Sequence, residues 1–354
     1  MATLLTTEYL PIGDPSCDLA REQLARAGRR IRDGGLVVFP TETVYGLGGD
    51  ATRAESARRI YAAKGRPSDN PLIIHIADPQ DAEPYAVTCD TYDRLARAFM
   101  PGPLTVILPR KPTIPTETTG GLETVAVRCP SHPIARALIR AAGTPIAAPS
   151  ANLSGKPSPT CARHVMDDMD GRVDIIIDGG DCEIGLESTI VAISGEDNVT
   201  LLRPGAITYD ALCMVIGKVQ IADAVTEQLK EGERVLSPGM KYRHYAPDSP
   251  VVLLDGAPDA VLQYLMHEQQ RCRCAILCYD EELSALQTSG EPLLFPVGAR
   301  DDLVTQAHTL FTLLRHADRA LPDIIYAHLP PMDGLGLALY NRMIRAAAHT
   351  IKRV

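Results

Sequence analysis

Short apolar runs, each cut off by glycine or proline, recur along this 354-residue chain and restrict it to brief buried strands joined by helices and ordered loops. Leu36-Val37-Val38-Phe39 ends at Pro40, and Leu72-Ile73-Ile74 follows Pro71 and carries His75. A strand over 104–108 follows Met100-Pro101-Gly102-Pro103, and Pro145-Ile146-Ala147-Ala148 runs into Pro149. Further strands are expected at 174–178, from Glu187 onward, and at 199–202. Thr124-Val125-Ala126-Val127-Arg128 alternates, so that Thr124, Ala126 and Arg128 share one face. Helices are expected over about 17–32, where Ala20, Leu24, Ala27 and Ile31 make one apolar face, and then to about residue 63, at 91–99 and at 133–142.

A chain this long exceeds one typical domain. Past residue 250 it alternates strands (251–254, 274–279, 293–297, 324–328) with helices (258–270, 302–320 and after Gly336), the pattern of a small, mostly parallel α/β layer. The expected division is 1–216, a linker at 217–249, and 250–354. Inside the linker, residues 237–247 interleave Tyr242, His244 and Tyr245 with Lys241 and Arg243 between prolines. A spacer needs neither aromatics nor cations, so this segment is expected to act as a lid over an occupied site.

Charge and cysteine content narrow the function. The formal net charge is −9 and neither part is basic, which weighs against an RNA-binding module held by bulk electrostatics. Nine cysteines without framework spacing read as reduced thiols. Cys272-x-Cys274-x3-Cys278 fits no structural zinc pattern and falls on one face of a strand, so no metal ligand set is expected. The N-terminus lacks the basic start and apolar core of a secretory leader, and a cytoplasmic protein is expected. Gly46-x-Gly48-x-x-Ala51 imitates a dinucleotide fingerprint, the basis of a rival oxidoreductase reading. Pro40 and five further residues separate it from the preceding strand, and no P-loop occurs.

Two loops carry chemistry. Lys64-Gly65-Arg66-Pro67-Ser68-Asp69-Asn70-Pro71 sets two cations and an amide on a punctuated turn before a buried strand. Arginine offers a planar fork of donors and lysine a compact charge, a pairing suited to polyphosphate. Pro149-Ser150-Ala151-Asn152, continuing to Ser158 and Thr160, places hydroxyls and an amide directly after a strand, as ligand loops are placed.

These stretches, with Pro40-Thr-Glu-Thr-Val-Tyr-Gly-Leu-Gly, Pro101-Gly-Pro-Leu-Thr, Val127-Arg128, Glu187-Ser-Thr-Ile, Arg203-Pro-Gly, the 237–247 linker and Gly334-Leu-Gly…Asn341-Arg342, resemble the threonylcarbamoyl-AMP synthase family in its long form. The resemblance implies a twisted, open mixed α/β sheet with a concave site (YrdC-like), followed by a smaller Rossmann-like domain. It implies an L-threonylcarbamoyladenylate synthase using L-threonine, bicarbonate and ATP with Mg²⁺. The product would pass to a tRNA-modifying complex. Residue by residue it assigns Lys64 and Arg66 to catalysis. It assigns ATP to Lys64, Arg66, Asn70, Thr124, Ser150, Asn152, Ser158, Arg203 and Tyr242. Threonine falls to Thr43, His75, Arg128, Ser188 and Thr189, with Ala148 standing where a threonine-binding Thr can occur.

Overall fold

The computed structural model describes residues 5–195, 198–227, 244–287 and 293–354, which divide into two compact units. The first contains β1 (Glu8–Pro11), α1 (Asp18–Arg32), β2 (Val37–Phe39), β3 (Gly46–Asp50), α2 (Ala54–Lys64), β4 (Ile73–His75), α3 (Asp90–Phe99), β5 (Leu104–Pro109) and β6 (Thr124–Arg128). It continues with α4 (Pro133–Ala142), β7 (Ile146–Ala147), α5 (Ala162–Met169), β8 (Ile175–Asp178), β9 (Thr189–Ile193), β10 (Val199–Arg203), α6 (Tyr209–Ile216) and β11 (Val219–Ile221). All eleven strands join one open mixed sheet in the order β1-β8-β2-β3-β7-β4-β6-β5-β9-β10-β11.

The alternation of side chains across the strands sorts the core into three clusters. On one face α1 and α4 cover Val37, Phe39, Ile146, Ile175 and Ile177. On the other, residues of α2, α3, α5 and α6 such as Ile60, Leu95, Val165 and Leu212 pack on Val38, Leu47, Ile74, Val127 and Val191. The third cluster, Ile73, Ile107, Ala126, Ile190 and Leu202, is drawn from strands alone. It is an apolar bed flanked by polar strand ends.

Two glycines set close approaches. A Cβ on Gly28 of α1 would lie 2.6 Å from the Ala141 carbonyl carbon, so the helix backbones meet there. In β3 a Cβ on Gly48 would lie 2.7 Å from Ile146 Cγ2 and 2.8 Å from Phe39 Cε1. The stretch Gly46-Leu47-Gly48-Gly49-Asp50 is thus a buried central strand, not the loop that its glycine content suggests. β1, α5, α6 and β11 also escape the periodicity. The domain edge drawn at 216 moves outward, because β11 pairs in parallel with β10 and extends the first unit's sheet.

The second unit comprises residues 242–354 together with Gly155–Pro157 and Ile184–Leu186. It contains β12 (Val251–Asp255), α7 (Pro258–Glu268), β13 (Cys274–Cys278), α8 (Leu283–Leu286), β14 (Leu293–Pro296), α9 (Leu303–Arg319), β15 (Ile324–His328), α10 (Gly336–Ala346) and β16 (Ile351–Arg353). The strands form an all-parallel sheet in the order β14-β13-β15-β12-β16, as the alternation predicts. Cys274 and Cys278 are free and buried with Ile276 on one face of β13, and burial pushes both thiols up to about 12. Of the expected lid over 237–247, residues 237–243, Tyr242 among them, lie outside the described residues. Tyr245 is anchored within this unit, stacked on Phe311 at 5.3 Å with the Arg342 guanidinium 5.7 Å from its ring.

Candidate active site

The short strand β4 has polar groups at both ends. At its C-terminal end His75 lies opposite Arg128 of β6 in parallel register and opposite Ile146 of β7. Arg128 ends a central strand and is buried, against the general expectation for a strand-terminal arginine. Its Nη2 donates to Glu42 Oε1 at 2.7 Å and to Thr43 Oγ1 at 2.8 Å, with Thr41 Oγ1 at 3.4 Å. The loop bearing these acceptors follows β2 and is fixed by Thr41, whose hydroxyl donates to the Val44 carbonyl and accepts from the amides of Thr43 and Val44. Burial, then the adjacent Arg128 charge, drives His75 down to about 3, so its imidazole is neutral.

At the other end of β4 lie the cations. Gly65 takes a left-handed conformation (φ 62°) and stops α2, leaving Lys64 in its last turn, where a cation suits the helix dipole. Lys64 Nζ donates to the carbonyls of Ser150 and Asn152, and the Ser154 amide returns a bond to the Lys64 carbonyl. The phosphate-type loop and the 149–154 loop are thereby stitched together. Arg66 Nη2 donates to the carbonyls of Asn70 and Pro71 at 3.2 and 3.1 Å. Asn70 is 1% exposed, and neither its Oδ1 nor its Nδ2 has a partner among the described residues. A buried amide with both functions open calls for a partner beyond the described side chains and backbone. Continuing the Ile73–Ala126 register places Thr124 level with Pro71 at this same end. His75 and Pro71 are roughly 13 Å apart along an extended strand.

The remaining candidates edge the apolar bed. Arg203, at the end of β10, donates through Nη2 to Ser188 Oγ at 3.1 Å and through Nε to the Ser188 carbonyl at 3.0 Å. Ser188 Oγ also shares a hydrogen bond of 2.8 Å with Thr105 Oγ1. Ser158 Oγ donates to Glu187 Oε1, and Ser150 Oγ to Asn152 Oδ1. The Thr189 hydroxyl is engaged by Ile207, donating to its carbonyl at 2.7 Å and accepting from its amide at 3.1 Å. Ala148 packs its methyl with Phe39 and Ile146, and its amide is spent on the Ile73 carbonyl at 2.8 Å.

Motif reading did not single out Thr41, Glu42 or Thr105. The signal for Glu42 was its place in Pro40-Thr-Glu-Thr, a carboxylate directly after a buried strand. Among the described residues no group of three His, Cys, Asp or Glu side chains converges as a metal site, and no helix is long and apolar enough to cross a membrane.

Comparison with known proteins follows this division. Residues 29–205 match the Sua5/YciO/YrdC profile, described as telomere recombination, and residues 207–348 match the threonylcarbamoyl-AMP synthase C-terminal domain. The threonylcarbamoyl-AMP synthase of Bacillus subtilis is 43% identical over 349 residues, covering 98% of this chain and 97% of its own. That of Pyrococcus abyssi is 44% identical, covering 92% and 94%. The crystal structure of P. abyssi Sua5 complexed with L-threonine superposes with a TM-score of 0.89 at 40% identity, over 98% of this chain and 100% of that one. A Vibrio vulnificus protein of the same name aligns over 98% of its length to 51% of this chain at 34% identity. With 43–44% identity to two such synthases over more than nine-tenths of its length, and with both of its domains matched, the chain belongs to the threonylcarbamoyl-AMP synthase family.

Proposed function

We propose that this protein converts L-threonine, bicarbonate and ATP to threonylcarbamoyl-AMP and pyrophosphate, and that a tRNA-modifying complex consumes the product to make threonylcarbamoyladenosine. The observation that carries the reading is the two-ended site along β4: a buried arginine with hydroxyl partners at one end, two cations and an open amide at the other. Arg128 suits the threonine carboxylate, and the Thr43 and Ser188 hydroxyls suit its polar groups. Lys64, Arg66, Asn70, Ser150, Asn152 and Thr124 suit ATP, with Ser158 and Arg203 flanking it. The amino acid bound in the P. abyssi relative supports threonine as substrate here.

Threonine and bicarbonate first give the N-carboxylated amino acid and water. Its new carboxylate oxygen then bonds the α-phosphorus as the bond to pyrophosphate breaks. Such a displacement calls for alignment and for cations where the leaving oxygens gain charge, which is the position proposed for Lys64 and Arg66. No covalent nucleophile is required. Mg²⁺ fits as a cation arriving on ATP, because among the described residues the phosphate end offers cations, amide and hydroxyls and no carboxylate cage; it would neutralise phosphate charge.

The test incubates the protein with ATP, bicarbonate and labelled threonine, and follows the mixed anhydride and pyrophosphate together. Equal amounts of both, with little pyrophosphate when valine replaces threonine, are expected, since valine leaves buried hydroxyl partners unpaired. Pyrophosphate release that ignores threonine would overturn the reading.

A further inference from the structure

We propose that Glu42 receives the α-ammonium of the bound amino acid, so that the buried Arg128–Glu42 pair reads the substrate as a zwitterion and rejects acids without the amine. The proposal rests on the threonine-dependent function above and adds a specificity residue to it.

Burying the Arg128–Glu42 pair carries a cost. Both side chains are buried, 5% and 4% exposed, and their contact is 2.7 Å. Two charges withdrawn from water rarely stabilise a fold more than apolar residues of equal volume, so a pair at the end of a strand needs a further reason. Neither member is saturated. Arg128 meets its three oxygen acceptors through Nη2, while its buried Nε has no partner among the described residues. Glu42 accepts from Arg128 on Oε1 and from the Ser131 amide on Oε2 at 3.2 Å, two bonds where an ionised carboxylate has about four acceptor positions. A cation edge and a carboxylate with vacant lone pairs therefore stand side by side.

An α-amino acid is the complement of that arrangement: acceptor oxygens and an ammonium with three donors, one carbon apart. Its carboxylate suits the open edge of Arg128, and its ammonium suits the open positions of Glu42. Burial holds the imidazoles of His75 and His132 toward the neutral form and pushes the Cys182 thiol up, so none of these neighbours competes with Glu42 as an anion for the ammonium. The loop is preorganised, because Thr41 fixes the backbone on both sides of Glu42 before any ligand arrives.

The test is a cycle on residue and ligand. Full-length protein and Glu42→Gln are titrated calorimetrically with L-threonine and with 3-hydroxybutanoate, which keeps the carboxylate and hydroxyl but lacks the ammonium. Glutamine keeps the size and still accepts a hydrogen bond from Arg128. The expected result is a 10- to 100-fold loss of threonine affinity in Glu42→Gln with hydroxybutanoate affinity changed less than threefold, ATP binding being retained. Equal losses for both ligands would make Glu42 a support for Arg128 alone, and no loss for either would remove it from the site; each overturns the proposal. Failure of the wild-type protein to bind threonine would instead count against the proposed function. If Glu42→Gln unfolds, Glu42→Asp takes its place, with the same selective weakening expected from the shortened reach.

Discussion

Arg66 shows how a single side chain serves both the fold and the proposed chemistry. Its guanidinium holds the Asn70 and Pro71 carbonyls, which fixes the turn presenting the open Asn70 amide. Arg66→Ala is expected to lower kcat/KM by roughly 30- to 1000-fold, or about 2–4 kcal/mol of transition-state stabilisation. It also removes charged donors from two carbonyls, costing about 1–3 kcal/mol of stability. Steady-state kinetics beside urea denaturation separates the two effects, and near-normal kcat/KM in a folded variant would remove Arg66 from the phosphate site. His75 makes a different test. Its folded-state pKa is depressed to about 3 from an ordinary 6.5, so the unfolded chain binds the extra proton between those values. Its contribution is therefore fully present above pH 6.5 and is lost as pH falls toward 3, at up to about 1.4 kcal/mol per pH unit. His75→Gln, neutral throughout, should flatten that acid limb in urea melts at successive pH values; an unchanged slope would show His75 protonated in the fold.

At the scale of elements, the site depends on how closely β3 sits against β2 and β7. The residues of the Thr41–Tyr45 loop connect β2 to β3, so the spacing of these strands positions Glu42 and Thr43. Gly48→Ala places a methyl against Ile146 and Phe39, and core overpacking of this kind costs about 1–3 kcal/mol. The variant should show a lower urea midpoint with an unchanged m-value. Threonine affinity should weaken as well, because Phe39 meets His75 edge-on at 5.9 Å and passes the displacement to the amino-acid end. A stable Gly48→Ala protein with full threonine affinity would show that β3 tolerates a side chain there.

At the scale of the whole molecule, the boundary matters for any dissection. A cut at 217 would strip β11 from its partner β10, whereas a cut after residue 227 keeps the sheet complete. Gly155–Pro157 lies between Asn152 and Ser158 in sequence and is held within the second unit, where Arg315 Nη2 donates to the Pro157 carbonyl at 2.6 Å and the Ala246 amide to that of Gly155 at 2.9 Å. The 1–227 fragment is expected to fold and bind threonine but to turn over about tenfold or more slowly, since the loop carrying Asn152 and Ser158 loses those bonds. Turnover by the fragment at the full-length rate would show the second unit dispensable for this chain, as its counterpart is absent from the short V. vulnificus relative.

The sequence by itself determined the parts that local chemistry dictates. Apolar runs closed by proline and glycine marked β2, β4, β5 and β7, amphipathic spacing marked α1, and the second unit's parallel layer followed from its alternation. Lys64, Arg66 and the 149–152 loop were legible because their residue types and order are distinctive. Tertiary structure decided the rest. β3 is a strand because neighbouring side chains fill the space its glycines leave, which no propensity records. Arg128 is buried because β6 lies inside an eleven-stranded sheet, and Glu42 became its partner only because the loop after β2 reaches the end of β6 although β3, β7 and β4 separate the two strands. A charge pair between residues 86 positions apart depends on register and sheet order, and those are properties of the folded chain alone.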